Sequence, residues 1–462
     1  MWGKNLTRSR IHIFHVGPMQ NKGTQALLYA DIAVINEALS GDTSISVSTI
    51  DTEGVRRLNE TLKGIDSILP TMLDIPFVKA DQLAKRFGVT RGNPRYKILA
   101  LVSLVLMGFQ LLLSIASVIM LKLGLRPLYR PELFRSMKNA DVLISTSDES
   151  FKESASLLPP NLYWRITWWS LLFERTFEIL IGKYFQRHII LFPNSVGPFK
   201  TFLGRKMARI ALDHCDSLLI RDSISLEIVK SLGIRSPYVL TNDTALLFEH
   251  RKPLFEPLWK PSVGVCPGVY SNALPKQKIL EYVKEQALAL DAVVDKHGLD
   301  IVFLPHYISG FEYDDLEISK LIYDKMENQS RAQIIISHDA NEFKAYLGRM
   351  KAVVTSKMHP AIFAATSYVP FVSLAYDHKQ IAFHDTVNMK EYLMNLQDIS
   401  SLSLFLQIDL LLRNMDSVSA SLKERIPVLQ EDIRKIIRRS MATNGLAEKI
   451  PPENIAVVVR SE

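Results

Sequence analysis

The residues best suited to chemistry lie in residues 350–379, whose pattern predicts a strand, a turn, a helix, a turn and a second strand. Lys357 and His359 stand in the first turn, and Pro360 follows where a first-turn proline costs the helix no hydrogen bond. A cation and an imidazole thus lie beside unpaired helix-start N–H groups, where the helix dipole favours negative charge. The stretch predicts an anion site; the alternative is an ordinary βα turn with two surface side chains.

A second candidate lies near the beginning of the chain. Residues 11–16 are typical of a strand, and Asn21-Lys22-Gly23-Thr24 precedes apolar residues at helical spacing. Ligands of doubly wound α/β domains bind at the carboxyl ends of strands. Gly23 permits close backbone approach and Asn21 can hydrogen-bond a sugar or phosphate, although an ordinary turn has the same composition. The absence of GxGxxG and Walker sequences gives no support for a dinucleotide or P-loop site.

Four more polar residues each follow a predicted strand. Asp148 is a candidate base or hydroxyl ligand, with helix capping as the alternative. Arg221 can clamp a carboxylate or phosphate, unless it only pairs with its neighbour Asp222. Ser195 stands at another strand end, and His306 is either a site residue or a loop histidine without a ligand. If two sheets face each other, these side chains share one cleft.

Composition limits the choice of partners. The 462 residues are 47% apolar and carry a net charge of +7, which suits phosphates, acidic glycans or an anionic membrane surface. No zinc-finger, ribonucleoprotein or basic-helix pattern predicts nucleic acid as a partner. The two cysteines, far apart in the chain, imply no disulfide framework and favour a reducing compartment. No Cys/His cluster predicts a metal site.

Strand and helix patterns alternate in both halves of the chain, which predicts an α/β fold with two Rossmann-like domains facing across a cleft. We expect the first domain at residues 1–248, a proline-containing linker at 249–262 and the second domain at 263–398. Helices and a tail are expected at 399–462. Charged, irregular residues 51–97 are interpreted as an insertion on the first domain.

An apolar stretch interrupts the first domain. Residues 98–121 contain no charge over 24 positions, and about 20 such residues suffice to cross a bilayer. A crossing would separate strands of one sheet, so we expect the insertion at about 98–122 to dip into one leaflet or to pack inside the protein. Aromatic residues at 163–184 favour membrane contact; a core-facing aromatic helix is the alternative.

Several short segments, taken in order, resemble the polysaccharide pyruvyl transferase family, whose architecture is similar to that of two-domain GT-B glycosyltransferases. Val369-Pro370 and Tyr376 complete the likeness. The segments are residues 21–27 (NKGTQAL), 140–145 (ADVLIS), 193–199 (PNSVGPF), 220–225 (IRDSIS) and 357–364 (KMHPAIFA). Their spacing covers roughly residues 11 to 385.

The resemblance implies transfer of a pyruvyl group from phosphoenolpyruvate to two hydroxyls of a sugar, with formation of a cyclic ketal and release of phosphate. Phosphoenolpyruvate is the donor substrate and no cofactor is expected. His359 is the candidate general acid, since imidazole titrates near neutrality, and His306 or Asp148 is the candidate base. The expected substrate-binding residues are Arg221, Lys357, Asn21, Gly23, Ser195, Tyr376 and Lys379.

Two positions depart from the family pattern. Lys357 stands where the family usually has arginine, and Thr146-Ser147-Asp148 replaces a glycine pair. Side chains there are expected to narrow the cleft or to alter the acceptor. The expected acceptor is a cell-surface polysaccharide or its lipid-linked precursor, at the inner, cytoplasmic face of the cell membrane. The alternatives are a GT-B-like glycosyltransferase that uses a nucleotide sugar and a catalytically silent, membrane-bound scaffold of polysaccharide assembly.

Overall fold

The chain forms two parallel β-sheets with helices between and around them. The computed structural model describes residues 8–39, 43–89, 93–153, 162–249, 260–269, 276–308 and 313–446. The first sheet has eight strands in the order β3-β2-β1-β4-β6-β7-β8, with β5 beside β6. These strands are β1 Ser9–Val16, β2 Thr43–Thr49, β3 Ser67–Pro70, β4 Val142–Ser145, β5 Asp148–Phe151, β6 His188–Val196, β7 Ser217–Ile220 and β8 Tyr238–Leu240.

Eight helices accompany the first sheet. They are α1 Lys22–Ala38, α2 Thr52–Leu62, α3 Pro76–Arg86, α4 Pro94–Lys122, α5 Pro131–Asn139, α6 Leu162–Tyr184, α7 Phe202–Leu212 and α8 Ser223–Ser231. The interpretation of residues 51–97 as an insertion is wrong for part of that range, because β3 pairs with β2 and extends the sheet. This edge strand was not predicted because it is short and ends in Pro70. An edge strand needs hydrogen-bonded partners on one side only, so a proline is tolerated there.

The second sheet has six parallel strands in the order β11-β10-β9-β12-β13-β14. The strands are β9 Ser262–Cys266, β10 Asp300–Phe303, β11 Ala332–Ile334, β12 Ala352–Thr355, β13 Phe371–Ala375 and β14 Leu393–Asn395. The helices are α9 Lys276–His297, α10 Asp315–Lys325, α11 Ala340–Leu347, α12 Met358–Thr366, α13 His378–Thr386, α14 Ser401–Arg413 and α15 Met415–Met441. The predicted fold class, two Rossmann-like α/β domains, is confirmed.

Burial on both faces explains why the strands read as unbroken apolar runs. Along β4, Val142 and Ile144 enter one apolar core, and Leu143 between them enters a second core on the opposite face. Successive strand residues point to opposite faces, so a sheet with two covered faces needs apolar residues at every position. The first of these cores continues into the second sheet and unites the two domains.

The last long helix, α15, returns to the first sheet. Arg434 and Arg438 both pair with Glu37 of α1, and the Ser440 hydroxyl lies 2.9 Å from that of Ser217 on β7. Residues 250–259, within the expected linker, lie outside the described residues. The helix therefore connects the second domain to α1 and β7 of the first.

The apolar insertion is the single 29-residue helix α4. Among the described residues it is a helix long and apolar enough to cross a bilayer by length and composition alone. Its buried side includes Tyr96 and Met107, while Leu101, Val105 and Leu112 are 62%, 66% and 65% exposed. In the aromatic helix α6, the Trp169 indole N–H donates a hydrogen bond to Glu153 Oε1 at 2.8 Å. The side chains of residues 162–168 lie outside the described part of the chain.

Buried histidines make the fold sensitive to acid. Burial lowers the pKa of His12 to about 3 and that of His384 to about 4, against 6.5 in an exposed histidine. A folded-state pKa below the unfolded value means that the unfolded chain binds more protons. Stability is therefore fully present above pH 6.5 and is lost as the pH falls towards 4.

Replacing His384 should remove part of this acid sensitivity. Between pH 7 and pH 5, His384 alone is expected to cost about 2 kcal/mol of unfolding free energy. His384→Asn keeps a donor for the carbonyl of Met389, which His384 Nδ1 contacts at 2.8 Å. Urea unfolding of both proteins at the two pH values measures the difference. An equal pH dependence in variant and wild type would contradict the assignment.

Candidate active site

The imidazole of His359 packs directly on the backbone of Gly23. His359 stands in the first turn of α12, whose N-cap residue, Lys357, makes no capping hydrogen bond through its side chain. A Cβ atom added to Gly23 would lie 2.3 Å from Nδ1 of His359, far inside van der Waals contact. Glycine is therefore required at position 23 for the two domains to meet in this arrangement, which brings the two sequence motifs together.

Charged groups from both domains surround His359. Burial lowers its pKa, and Arg221 lowers it further, whereas Asp243 and Asp148 act in the opposite direction. The imidazole is therefore neutral at pH 7 in this closed arrangement. Its Nε2 atom is buried and has no hydrogen-bond partner in the described part of the chain. This nitrogen is placed to exchange a proton with a bound molecule.

His306 lies parallel to His359. The ring centroids are 6.0 Å apart and the planes differ by 10°. Burial, His359 and the nearby Lys22 and Lys357 hold the pKa of His306 well below its usual range. Its Nε2 atom is also buried without a partner among the described residues. Two neutral imidazoles thus stand side by side, and either can accept a proton.

Arg221 is a buried cation of the first-domain wall. Its side chain is 2% exposed, and it donates through Nε to Ser195 Oγ at 2.7 Å and through Nη1 to Asp243 Oδ2 at 2.7 Å. Nη2 lies 3.6 Å from Glu149 Oε1. None of these contacts joins Arg221 to its neighbour Asp222, the alternative partner. Asp222 instead caps α8 by accepting from the backbone N–H of Ser225 at 2.7 Å.

Lys379 crosses from the second domain to the same acidic group. Its ammonium contacts the Glu149 carboxylate and lies 3.3 Å from Asp377 Oδ2. Burial lowers its pKa to about 8, and the charge of Asp148 opposes that shift. Lys379 is thus a cation with a pKa close to neutrality, held against the strand β5 that carries Asp148.

Lys357 is also paired rather than open. Its Nζ lies 3.1 Å from Asp315 Oδ1, and Asp315 Oδ2 accepts from the backbone N–H of Tyr307 at 2.8 Å. A Cβ atom on Gly268 would lie 2.2 Å from Lys357 Cε, so a side chain there would displace the lysine. The Asp315 carboxylate thus neutralises the cation at this helix start, and the anion site stays a prediction.

Lys22 fastens the first domain to the loop of His306. Its buried Nζ donates to the carbonyl oxygens of Pro305 at 3.1 Å and His306 at 2.9 Å. Burial lowers the pKa of Lys22 to about 8, while Asp315 counters the shift. Asn21 forms a bridge to Tyr307 in the same region. Within the predicted motif Asn21-Lys22-Gly23-Thr24, the Asn21 backbone and the Lys22 side chain therefore make the contacts to the second domain.

Most of the predicted site residues meet at this junction. The contacts above connect one group, Gly23, Asn21, His306, Lys357 and His359, and a second group, Ser195, Arg221 and Lys379. The charges of Arg221 and Asp148 act on the pKa of His359. Tyr376 follows β13, and its backbone N–H donates to Gln380 Oε1 at 3.1 Å. A cavity beside Arg221 and Lys379 has a volume of only about 20 Å³, room for little more than a water molecule.

Four site residues were not predicted from the sequence. They are Lys22, Glu149, Asp243 and Asp315. Glu149 adjoins Asp148 in a polar cluster at a strand end, and Lys22 lies inside the first motif, so both carried a usable signal. Asp243 precedes a short helical turn after β8, and Asp315 is the first residue of α10. Both are remote in sequence from their partners, so no local pattern indicated the pairing.

The residues that replace the family's glycine pair point inward. Thr146 Oγ1 and Ser147 Oγ donate to the carboxylate of Asp31 at 2.9 and 2.7 Å, and Thr244 Oγ1 does so at 3.0 Å. Both Thr146 and Ser147 are almost completely buried. The expectation that these side chains narrow the cleft is therefore wrong, because the buried Asp31 carboxylate satisfies their hydroxyls inside the domain.

Comparison with known sequences decides the family. The profile of the family described as polysaccharide pyruvyl transferase matches residues 22–378, most of the chain. The chain belongs to the polysaccharide pyruvyl transferase family. The junction of Gly23 and His359 lies within the matched range.

One relative of this family member is the amylovoran biosynthesis protein AmsJ of Erwinia amylovora. The two are 22% identical over 265 residues, which are 54% of this chain and 63% of AmsJ. The chain thus matches less than two thirds of the length of AmsJ.

Solved structures support the fold alone. UDP-GlcNAc 2-epimerase from Neisseria meningitidis is 8% identical, with a TM-score of 0.53 over 94% of this chain and 99% of the epimerase. MnaA of S. aureus gives 11% identity and a TM-score of 0.55 over 96% and 99% of the two chains. UGT73P12 of Glycyrrhiza uralensis is 12% identical, with a TM-score of 0.51 over 95% of this chain and 94% of UGT73P12. The two-domain, GT-B-like architecture is thereby confirmed.

A methyl group at position 23 should disrupt the junction. Gly23→Ala is expected to lower transferase activity by about 100-fold or more, because a misplacement near 1 Å in an active site has costs of that order. The matched control is Gly108→Ala in α4, where an added Cβ meets nothing within 4 Å. Steady-state kinetics and thermal unfolding of both variants give the result. Full activity in Gly23→Ala would contradict the close packing of His359.

Proposed function

We propose that this transferase moves a pyruvyl group from phosphoenolpyruvate to two hydroxyls of a sugar, forming a cyclic ketal and releasing phosphate. The observation that carries the proposal is the imidazole of His359, which packs on Gly23, has a buried Nε2 atom and feels the charge of Arg221. The acceptor is a sugar of a cell-surface polysaccharide or its lipid-linked precursor. The family membership and the relationship to an amylovoran biosynthesis protein support this choice.

The donor carries a phosphate and a carboxylate and needs cations at both ends. Arg221 and Lys379 stand at one side of His359, and Lys357 stands at the uncapped start of α12. Each of these cations now pairs with a carboxylate of the protein. Unpaired charges are expensive in a buried site, so the carboxylates hold the cations in the empty enzyme, and the donor exchanges with them when the domains separate.

His359 then acts as general acid. The negative charge of the bound donor raises the pKa of the imidazole, in opposition to burial and Arg221, and stabilises its protonated form. Transfer of its proton to the methylene carbon of phosphoenolpyruvate makes a methyl group and leaves an oxocarbenium-like carbon. One sugar hydroxyl attacks this carbon. The second hydroxyl attacks the same carbon as the bond to phosphate breaks.

Two hydroxyl protons must leave during ketal formation. His306, neutral because its pKa is lowered, accepts the first through its buried Nε2 atom, and Asp148 is the second candidate for this role. The second proton leaves on the departing hydrogen phosphate, and the proton held by His306 then returns to His359 and restores the general acid. Atoms and charges balance: one proton is gained by the methyl group, two are lost by the sugar, and the phosphate carries away the remaining one.

Phosphate release tests the reaction. The full chain is incubated with phosphoenolpyruvate and a panel of acidic and neutral glycans and lipid-linked sugars, and the product is examined for a ketal by NMR. We expect release of phosphate that depends on both substrates. A protein that neither binds phosphoenolpyruvate in calorimetry nor releases phosphate with any acceptor would contradict the function and favour a silent scaffold. Turnover of a nucleotide sugar would favour the glycosyltransferase alternative.

Two substitutions refine the same experiment. His359→Gln should retain donor binding but lose about 100-fold or more in turnover, as expected for the removal of a general acid. Lys357→Arg should preserve the ion pair with Asp315 and retain donor binding, since arginine supplies the same charge and additional donors. Unchanged turnover in His359→Gln would remove this residue from the mechanism.

We propose that α4 holds the enzyme against the inner face of the cell membrane. Its exposed apolar side chains lie between exposed basic residues at both ends, Arg95 and Lys97 before them and Lys122 and Arg126 after them. A helix of this kind can lie along a bilayer surface, with apolar side chains among the acyl chains and basic residues at anionic headgroups. This position brings the cleft near lipid-linked acceptors.

Charges on the exposed side of α4 should weaken membrane binding. Leu101→Glu/Val105→Glu is expected to reduce partitioning to phosphatidylglycerol-containing vesicles by about tenfold or more, because two exposed apolar side chains are lost from the contact. The control is Leu402→Glu/Leu406→Glu on α14, where the same spacing places two side chains that are 66% and 52% exposed. Vesicle sedimentation measures both. An equal loss in both variants would contradict a specific role of α4.

A further inference from the structure

A large cavity opens between α15 and the edge of the first sheet. Its volume is about 460 Å³, against about 20 Å³ for the cavity beside Arg221. Leu240 and Thr241 at the end of β8 form one wall, and α15 forms the opposite wall. We call it the α15 cavity. The residues that line it are Leu240, Thr241, Asn242, Thr386, Arg425, Leu429, Asp432, Lys435, Ile436 and Arg439.

The α15 cavity adjoins the reaction cleft. Asn242 and Thr386 line both cavities, and Asn242 directly precedes Asp243, the partner of Arg221. A molecule that extended from the α15 cavity past these two residues would approach Arg221 and Lys379. The small cavity alone cannot hold a sugar, whereas the α15 cavity has the size of an ordinary small-ligand pocket.

The lining of the α15 cavity is basic. Among its described lining residues, three carry positive charge, on Arg425, Lys435 and Arg439, and Asp432 carries negative charge. Arg425 is held in place by donating through Nε to the carbonyl oxygen of Thr386 at 2.9 Å. Lys435 has only a distant ion pair, 3.9 Å, with Glu431. The excess of cations favours an anionic occupant.

An unsatisfied hydroxyl lies at the wall formed by β8. Thr241 is 5% exposed, and its Oγ1 atom is buried without a hydrogen-bond partner in the described part of the chain. Because this atom is not accessible from the cavity, the preference for an anion depends on the cationic side chains of Arg425, Lys435 and Arg439. Their guanidinium and ammonium donors are suited to phosphate or carboxylate oxygens.

We propose that the α15 cavity binds an anionic group of the acceptor, so that the sugar hydroxyls reach the donor beside Arg221 and His359. The chemistry is that of a diphosphate or a carboxylate carried by the acceptor glycan. A lipid-linked precursor supplies the first, and a uronic-acid residue of the polysaccharide supplies the second. The inference rests on the proposed function, because it assigns a binding site for the acceptor of that reaction.

Binding of two probes to the full chain tests the inference without turnover. Inorganic pyrophosphate represents the diphosphate, and a tetramer of glucuronic acid represents the carboxylate. We expect at least one to bind, and Lys435→Gln/Arg439→Gln to weaken that binding about tenfold or more by removing two cationic donors. Lys423→Gln, an exposed lysine of the same helix outside the cavity, is the matched control and should bind as wild type.

The outcomes separate the acceptor site from the donor site. Lys357→Met alters the donor site only and should leave probe binding unchanged, whereas binding of phosphoenolpyruvate should fall in that variant and not in Lys435→Gln/Arg439→Gln. The probe that binds identifies the source of the anionic group. If neither probe binds, or if only Lys357→Met weakens the binding, the inference is overturned. Failure of phosphoenolpyruvate to bind at all overturns the proposed function instead, whatever the probes do.

Discussion

The contact between His359 and Gly23 is the constraint on which the rest of the site depends. The imidazole belongs to the first turn of α12, and it fills the space that a side chain at Gly23 would need. Because Gly23 belongs to α1 and His359 to α12, this contact joins a helix of the first domain to a helix of the second. It also buries His359, which lowers its pKa and leaves Nε2 without a partner among the described residues. Packing thus determines the chemistry available to the imidazole.

Ion pairs at the walls of the cleft explain why the cavity beside Arg221 is so small. The cations at its walls each pair with a carboxylate, as Arg221 does with Asp243 and Lys357 with Asp315. A buried cation that lost its partner would be strongly unfavourable, so the empty site cannot keep its cations exposed for a donor. Under the proposed function, donor entry is therefore an exchange of one anion for another. The paired state also protects the site from unrelated anions, which must compete with carboxylates that are already in place.

Sequence patterns predicted the strand ends but not the pairings across them. His359, Arg221 and Asp148 were identified because polar residues at the carboxyl ends of parallel strands are local signals. Partners at long range gave no such signal: Lys22 binds the carbonyl of His306 across the cleft, and Thr146 reaches the buried Asp31. The short edge strand β3 was missed for a related reason, since only its pairing with β2 defines it. Local periodicity predicts elements, whereas tertiary contacts decide which charges are satisfied.

The contacts of Lys357 indicate whether a lysine can serve where the family usually has arginine. Its Cε fits over Gly268, and its ammonium reaches Asp315, so the structure accommodates a point charge here without leaving a gap. The planar fork that arginine would offer is supplied nearby by Arg221, whose Nη2 atom has no hydrogen-bond partner among the described residues. Buried ion pairs contribute little net stability compared with apolar packing. Several such pairs at one junction are therefore poorly explained by a scaffold, which needs only stability, and are well explained by a site that exchanges its carboxylates for an anionic substrate.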